Sequence, residues 1–126
     1  MTPALLELSA VTLDCADPLE LAAFYQQALG VAPHARSDAD FAGLTLANGL
    51  FIGFQRVDGH QPPSWPGQGV PQQLHLDFDV DDLEQARDAL VALGASEPAH
   101  QPTPDKWLVL LDPAGHPFCL SPRNRT

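Results

Sequence analysis

The chain has 126 residues, enough for one compact domain that buries roughly two thirds of the surface its unfolded form exposes, and too few for a second independent core. Hydrophobic residues make up 44% and charged ones 17%, a balance that suits a folded globule rather than a disordered tail. Six basic residues against sixteen acidic ones give a formal charge of −10, which repels phosphate backbones and anionic headgroups, so no nucleic-acid or membrane partner is expected.

The N-terminus "MTPALLELSA" lacks the basic start and apolar run of a secretory signal, and no stretch approaches the ~20 apolar residues that a membrane span needs. A cytoplasmic location is the expectation. The first patterned segment is "AVTLDCADPLELAAFYQQALG", in which an alternating strand ends at Asp17 and a helix of about three turns follows. Asp17 is an N-cap type, Pro18 occupies the first helical position where its missing N–H costs nothing, and Gly30 closes the helix. Leu21, Phe24, Ala28 and Leu29 form the expected apolar stripe, and Phe24 with Tyr25 reads as a core aromatic pair. "FAGLTLANGLFIGFQRV" then places Asn48-Gly49, a two-residue hairpin signal, between alternating runs.

Residues 58–73, "DGHQPPSWPGQGVPQQ", are dense in proline and glycine and read as a crossover loop. An ordered loop of that length with an embedded tryptophan is unusual in a small domain, so Trp65 either plugs a gap or covers a site. Beyond it the order of signals repeats. "HLDFDVDDLEQARDALVALG" runs strand, capping Asp82, helix and Gly94, with Ala86, Ala89, Leu90 and Leu93 as its stripe, and "KWLVLLDPAGHPFCLS" supplies a second hairpin around Asp112-Pro-Ala-Gly115. Asp17 precedes Gly30 by thirteen residues and Asp82 precedes Gly94 by twelve, as expected of a diverged duplication. Module one spans about 5–57 and module two about 74–122 of a single domain covering 1–126. Cys15 and Cys119 have no disulfide-framework or zinc-knot spacing and read as free thiols. No Ser-His-Asp order or glycine-rich phosphate loop is present to support a hydrolase or nucleotide-binding reading.

With "DPLELAAFYQQALG", "HLDFDVDD", "ALGA" and "DPAGHPFCL" in this order, nearly the whole chain resembles the vicinal oxygen chelate superfamily, most of all the glyoxalase-like and bleomycin-resistance-like proteins common in bacteria. The resemblance implies an α+β fold: two tandem βαβββ modules forming a curled, eight-stranded mixed sheet around a cleft, with helices on the outer face. It also implies a divalent metal (Zn, Mn, Fe or Ni), held by one residue from the first and one from the last strand of each module. Carried over position by position, those sites fall on Ala10, Gln55, His75 and Cys119. Alanine cannot ligate, so the implied metal set reduces to His75, Gln55 and Cys119.

Strand parity sends His75, Asp77 and Asp79 to one face, and Ala10, Thr12 and Asp14 to the matching face of the first strand. With Gln55 and Cys119 added from the positions the resemblance implies and Trp65 from the crossover loop, the expected ligand-lining residues are Thr12, Asp14, Gln55, Trp65, Asp77 and Cys119. An imidazole beside carboxylates suits general acid or base work, which makes His75 the catalytic candidate. Two readings follow from the resemblance. In one, a small polar organic molecule is bound and turned over in metal-assisted lyase, isomerase or dioxygenase chemistry at a degenerate site; in the other, a cationic compound is sequestered without turnover. Proteins of this resemblance usually pair, so a homodimer is expected.

Overall fold

The computed structural model describes residues 2–123. The chain folds as two compact units, one ending at His60 and the other beginning at Gln61. The first contains strand β1 (Ala10–Cys15), helix α1 (Pro18–Leu29), strand β2 (Phe41–Thr45) and strand β3 (Phe51–Arg56). The second contains β4 (Leu76–Val80), α2 (Leu83–Leu93), β5 (Leu108–Leu111) and β6 (Pro117–Pro122). Each forms a three-stranded mixed sheet, in the orders β1-β3-β2 and β4-β6-β5, with the first strand parallel and the second antiparallel to the central one. The repeat read in the sequence is therefore a repeat of topology. Among the described residues there are six strands rather than the eight implied by the resemblance. Where each module's further strand would lie there is a single bridging residue, Pro33 opposite Leu44 and Ser96 opposite Leu111. Pro33 has no N–H with which to extend a ladder.

Both helices start as their sequences dictate. The Asp17 carboxylate accepts from the Glu20 N–H at 3.1 Å, and Asp82 accepts from the Gln85 N–H at 2.9 Å. Gly30 ends α1 in the left-handed conformation at φ 67°, whereas Gly94 ends α2 at φ 128°. The helices differ in what they bury. Helix α1 buries Pro18, Leu21, Ala22, Phe24 and Tyr25, with Tyr25 stacked on Phe54 at 5.6 Å. Ala28, assigned to the stripe from sequence, is exposed and Leu29 is half-buried, because the contact face turns toward Ala22 and Tyr25. No residue of α2 is fully buried; Ala86, Leu90 and Leu93 are half-covered and Ala89 is exposed.

Strand alternation sets the two faces of each sheet. In module one Leu13, Cys15, Ala42, Leu44, Ile52 and Phe54 are buried, while Ala10, Thr12 and Asp14 are exposed. In module two Phe118, Leu120, Leu108 and Leu110 are buried, with Phe78 edge-on to Phe118. His75, immediately before β4, and Asp77 and Asp79 within it are exposed, as parity requires.

Both predicted hairpins form. In the first, the Gly49 N–H donates to the Leu46 carbonyl and Asn48 Oδ1 accepts from the Leu50 N–H. In the second, the buried Asp112 carboxylate accepts from the N–H groups of both Ala114 and His116, at 2.9 Å each. A methyl group on Gly115 would come within 2.4 Å of the Pro62 side chain, so this turn sits tight against the crossover loop.

Candidate functional site

The exposed face of the second sheet carries a pocket of about 450 Å³, lined by Trp65, Gln72, His75, Asp77, Pro102, Trp107, Val109, Pro117, Cys119 and Ser121. Its floor follows from the ladder. Asp77, Cys119 and Val109 lie side by side across β4, β6 and β5, and Ser121 lies opposite Asp79. Its rim comes from loops that hydrogen bonds hold in place. Ser64 and Val70 pinch the crossover loop shut, Val70 N–H donating to Ser64 Oγ and Ser64 N–H to the Val70 carbonyl, each at 2.7 Å. That closure presents Trp65, whose ring lies 5.6 Å from that of His100. On the other side the Gln101 amide takes the role of a strand partner: it donates to the Val109 carbonyl and accepts from the Val109 N–H, at 2.8 and 2.9 Å. The edge of β5 is thereby covered.

Three groups that can carry chemistry meet on the floor. His75 Nε2 lies 3.2 Å from Asp77 Oδ1, and the Cys119 thiol donates to the same carboxylate. Cys119 is buried, at 8% exposure, whereas the His75 and Asp77 side chains are 40% and 65% exposed. Burial pushes the Cys119 thiol up to about 11, with the negative charge of Asp77 and the hydrogen bond to it adding to the effect. Cys119 is therefore a protonated thiol near neutral pH, and its neighbouring carboxylate works against a free thiolate nucleophile. The exposed His75–Asp77 pair contributes little to stability, since water screens it. One polar atom of the lining has no partner among the described residues: Gln72 Oε1 is buried and accepts no hydrogen bond from them. Leaving such an acceptor unmet costs on the order of 1–3 kcal/mol unless water or a ligand supplies a donor. Gln72 was not singled out in the sequence. It sits at the end of the proline- and glycine-rich crossover loop, and nothing in the spacing distinguishes it from Gln73.

His75, Asp77, Cys119 and Trp65 thus meet at one pocket, while Thr12, Asp14 and Gln55 belong to the first module's sheet and are absent from this lining. The ladder also corrects the assignment of Gln55. Asp77 pairs with Cys119 and Thr12 pairs with Gly53, so the counterpart of Cys119 in module one is Gly53; Gln55 lies opposite Asp14, two residues further along. Counting from strand ends misplaced it by one full period. The metal positions implied by the resemblance then read Ala10, Gly53, His75 and Cys119. Two have no donor atom, so this chain does not fit that four-position set, and no step is derived through it. The three side chains present are a different set: the ligand atoms of His75, Asp77 and Cys119 all lie within 4.8 Å of one another.

The first module's matching face is filled. Phe41 and Phe51 stack at 6.2 Å over the cross-strand pair Gly43 and Gly53, where a methyl on Gly43 would meet the Phe51 ring at 2.1 Å.

A family model described as a glyoxalase-like domain matches residues 10–121. Among solved structures, the chain is similar to a glyoxalase/bleomycin resistance protein/dioxygenase family enzyme from Burkholderia phytofirmans PsJN, at 23% identity with 93% of this chain and 98% of that chain covered and a TM-score of 0.69. It is similar to a glyoxalase-related enzyme from Fulvimarina pelagi, at 23% identity, 94% and 89% coverage and a TM-score of 0.64. A mutant of the fosfomycin resistance protein FosX from Listeria monocytogenes, complexed with Mn(II) and 1S,2S-dihydroxypropylphosphonic acid, matches at 20% identity, 94% and 93% coverage and a TM-score of 0.69. No curated protein matches the chain. At these identities the structural likenesses establish the fold.

Proposed function

The chain belongs to the glyoxalase-like domain family, and from that premise we propose that its second-module pocket binds a small polar organic molecule that is neutral or cationic. The observation that carries this reading is the buried, unmet Gln72 Oε1 within a pocket of about 450 Å³, a volume in the range of small-molecule sites. The lining offers a carboxylate at Asp77, an acceptor at Gln72, and two indole rings, and no Lys or Arg. Ammonium or other N–H groups satisfy those acceptors, and indole faces attract cations. An anionic ligand such as the phosphonic acid bound by the FosX relative finds no Lys or Arg among these residues.

Retention of a cationic compound without turnover is the function this lining supports best. His75, whose Nε2 lies 3.2 Å from Asp77 Oδ1, is the group that would exchange a proton with a bound molecule if chemistry follows. The homodimer expected from the resemblance belongs to the same proposal, and a single monomeric species at micromolar concentration in sedimentation velocity would reject it.

Trp65 and Trp107 are the only tryptophans in the chain, and both line the pocket, so intrinsic emission reports on it directly. Titration with benzylammonium is expected to change that emission saturably, and an equal concentration of benzoate is not. Equal responses to the two, or no saturable response to benzylammonium, would reject the reading.

A further inference from the structure

The outer edge of β5 is covered in two different ways. At Leu111 the backbone covers it, since Ser96 and Leu111 exchange both N–H···O=C bonds, at 2.9 and 2.8 Å. The chain then reaches Pro98, which has no N–H to continue a ladder. Two residues away along the strand, the edge groups of Val109 are met by a side chain instead. Gln101 Nε2 donates to the Val109 carbonyl at 2.8 Å and Gln101 Oε1 accepts from the Val109 N–H at 2.9 Å, a pairing that fixes which end of the amide is which.

From this geometry we infer that Gln101 is the positioning residue of the pocket, one amide that stands in for a strand and holds the rim against the floor. Its chain neighbours on both sides belong to the rim. Pro102 lines the pocket, and His100 carries the ring that lies 5.6 Å from that of Trp65. Val109, at the far end of the two bonds, lines the floor. Beyond Pro102 the Thr103 carbonyl accepts from the N–H groups of Lys106 and Trp107, at 3.0 and 3.1 Å, so the turn that carries Trp107 feeds directly into β5. The ring contact between His100 and Trp65 joins this segment to the crossover loop.

The first module shows why so much rests on one side chain. Gly43 is the counterpart of Val109, and its edge groups are shared between two residues: the His34 N–H donates to its carbonyl at 2.9 Å, and Ser37 Oγ accepts from its N–H at 3.1 Å. In module two both bonds come from Gln101. Val109 is 1% exposed, so water reaches its edge groups only if the segment carrying His100 and Pro102 moves away. Losing the amide therefore displaces the rim as well as uncovering the edge. For ligand binding this role rests on the reading proposed above; for the placement of Trp65 it does not.

Acrylamide quenching in a Trp107→Phe background, where Trp65 is the sole tryptophan, reports on the rim without any ligand. Gln101→Met, close in length but lacking both polar atoms, is expected to raise the quenching constant about twofold as local opening exposes the indole. Ser37→Ala, which removes one edge bond in the first module, is expected to leave it unchanged. Should Gln101→Met fail to fold, Gln101→Glu, which keeps an acceptor for the Val109 N–H and loses the donor, carries the same test. In the chain with both tryptophans, Gln101→Met is expected to weaken benzylammonium binding in calorimetric titration roughly three- to tenfold, the cost of ordering a loosened rim. Quenching of Trp65 unchanged by the Gln101 variants, or raised equally by Ser37→Ala, would overturn the role of Gln101. Raised quenching in a protein that ignores benzylammonium keeps that role and rejects the ligand reading, whereas benzylammonium bound equally with and without the Gln101 amide rejects the role and keeps the reading.

Discussion

The two modules share a topology and a ladder register, and they spend the same sheet face differently. In module one, Gly43 and Gly53 remove two side chains from the face, and the stacked rings of Phe41 and Phe51 cover the space. In module two the same ladder positions are Val109 and Cys119, and the face stays open beneath Trp65 and Trp107. The opposite faces are unequal in the reverse sense, since α1 buries five residues and α2 buries none. One copy of the repeat has invested its apolar surface in packing, and the other carries the accessible polar groups. Duplication thus releases one unit from the requirement to be the better-packed one, and stability and chemistry separate between copies.

The helix contrast predicts the largest difference. Leu21→Ala, at a side chain 1% exposed, is expected to cost about 3 kcal/mol in urea unfolding, whereas Leu90→Ala on half-covered α2 costs about 1 kcal/mol or less. Equal costs would erase the asymmetry. The hairpins come next. Asp112→Ala strips the buried acceptor from two backbone N–H groups and is expected to cost about 2 kcal/mol. Its exposed counterpart Asn48→Ala gives up one solvent-accessible bond and costs about 0.5 kcal/mol, by the same unfolding measurement. The filled face is tested by Gly43→Ala, which forces the Phe51 ring to move and costs roughly 1–3 kcal/mol. Combined with Phe51→Leu it costs less than the sum of the two single changes, because they share one space.

The smallest effect is chemical. With its thiol pushed up to about 11, Cys119 ionises only as pH climbs toward that value, so its alkylation by iodoacetamide, located by peptide mass mapping, is expected to be slow at pH 7 and to rise through pH 10. Asp77→Asn removes the neighbouring charge and shifts the rise to lower pH, though burial keeps it above that of a free thiol.

Much of this was legible in the sequence because it rests on local rules. Asp17, Asp82, Gly30 and Asn48-Gly49 act through the backbone within a few residues, and alternation alone placed His75 and Asp77 on one face with the core residues on the other. What escaped depends on partners distant in the chain. The register between β1 and β3 cannot be counted from strand ends, so Gln55 stood in for Gly53. The lack of a partner for Gln72 is a property of everything around it. Phe41 and Phe51 read as ordinary strand residues until their rings are seen above two paired glycines. The half-covered state of α2 is invisible in its periodicity, since Ala86, Leu90 and Leu93 keep a helical spacing whether or not anything covers them.

The central claim, that the open face of module two is the binding face and its counterpart in module one is not, is tested most directly by amide and indole shifts in nitrogen–proton correlation spectra during a benzylammonium titration. The account predicts shifts concentrated at Gln72, His75, Asp77, Cys119 and both tryptophan indoles, with Thr12, Asp14 and Gln55 unmoved. Shifts centred on those three first-module residues, or spread evenly over both sheets, would contradict it.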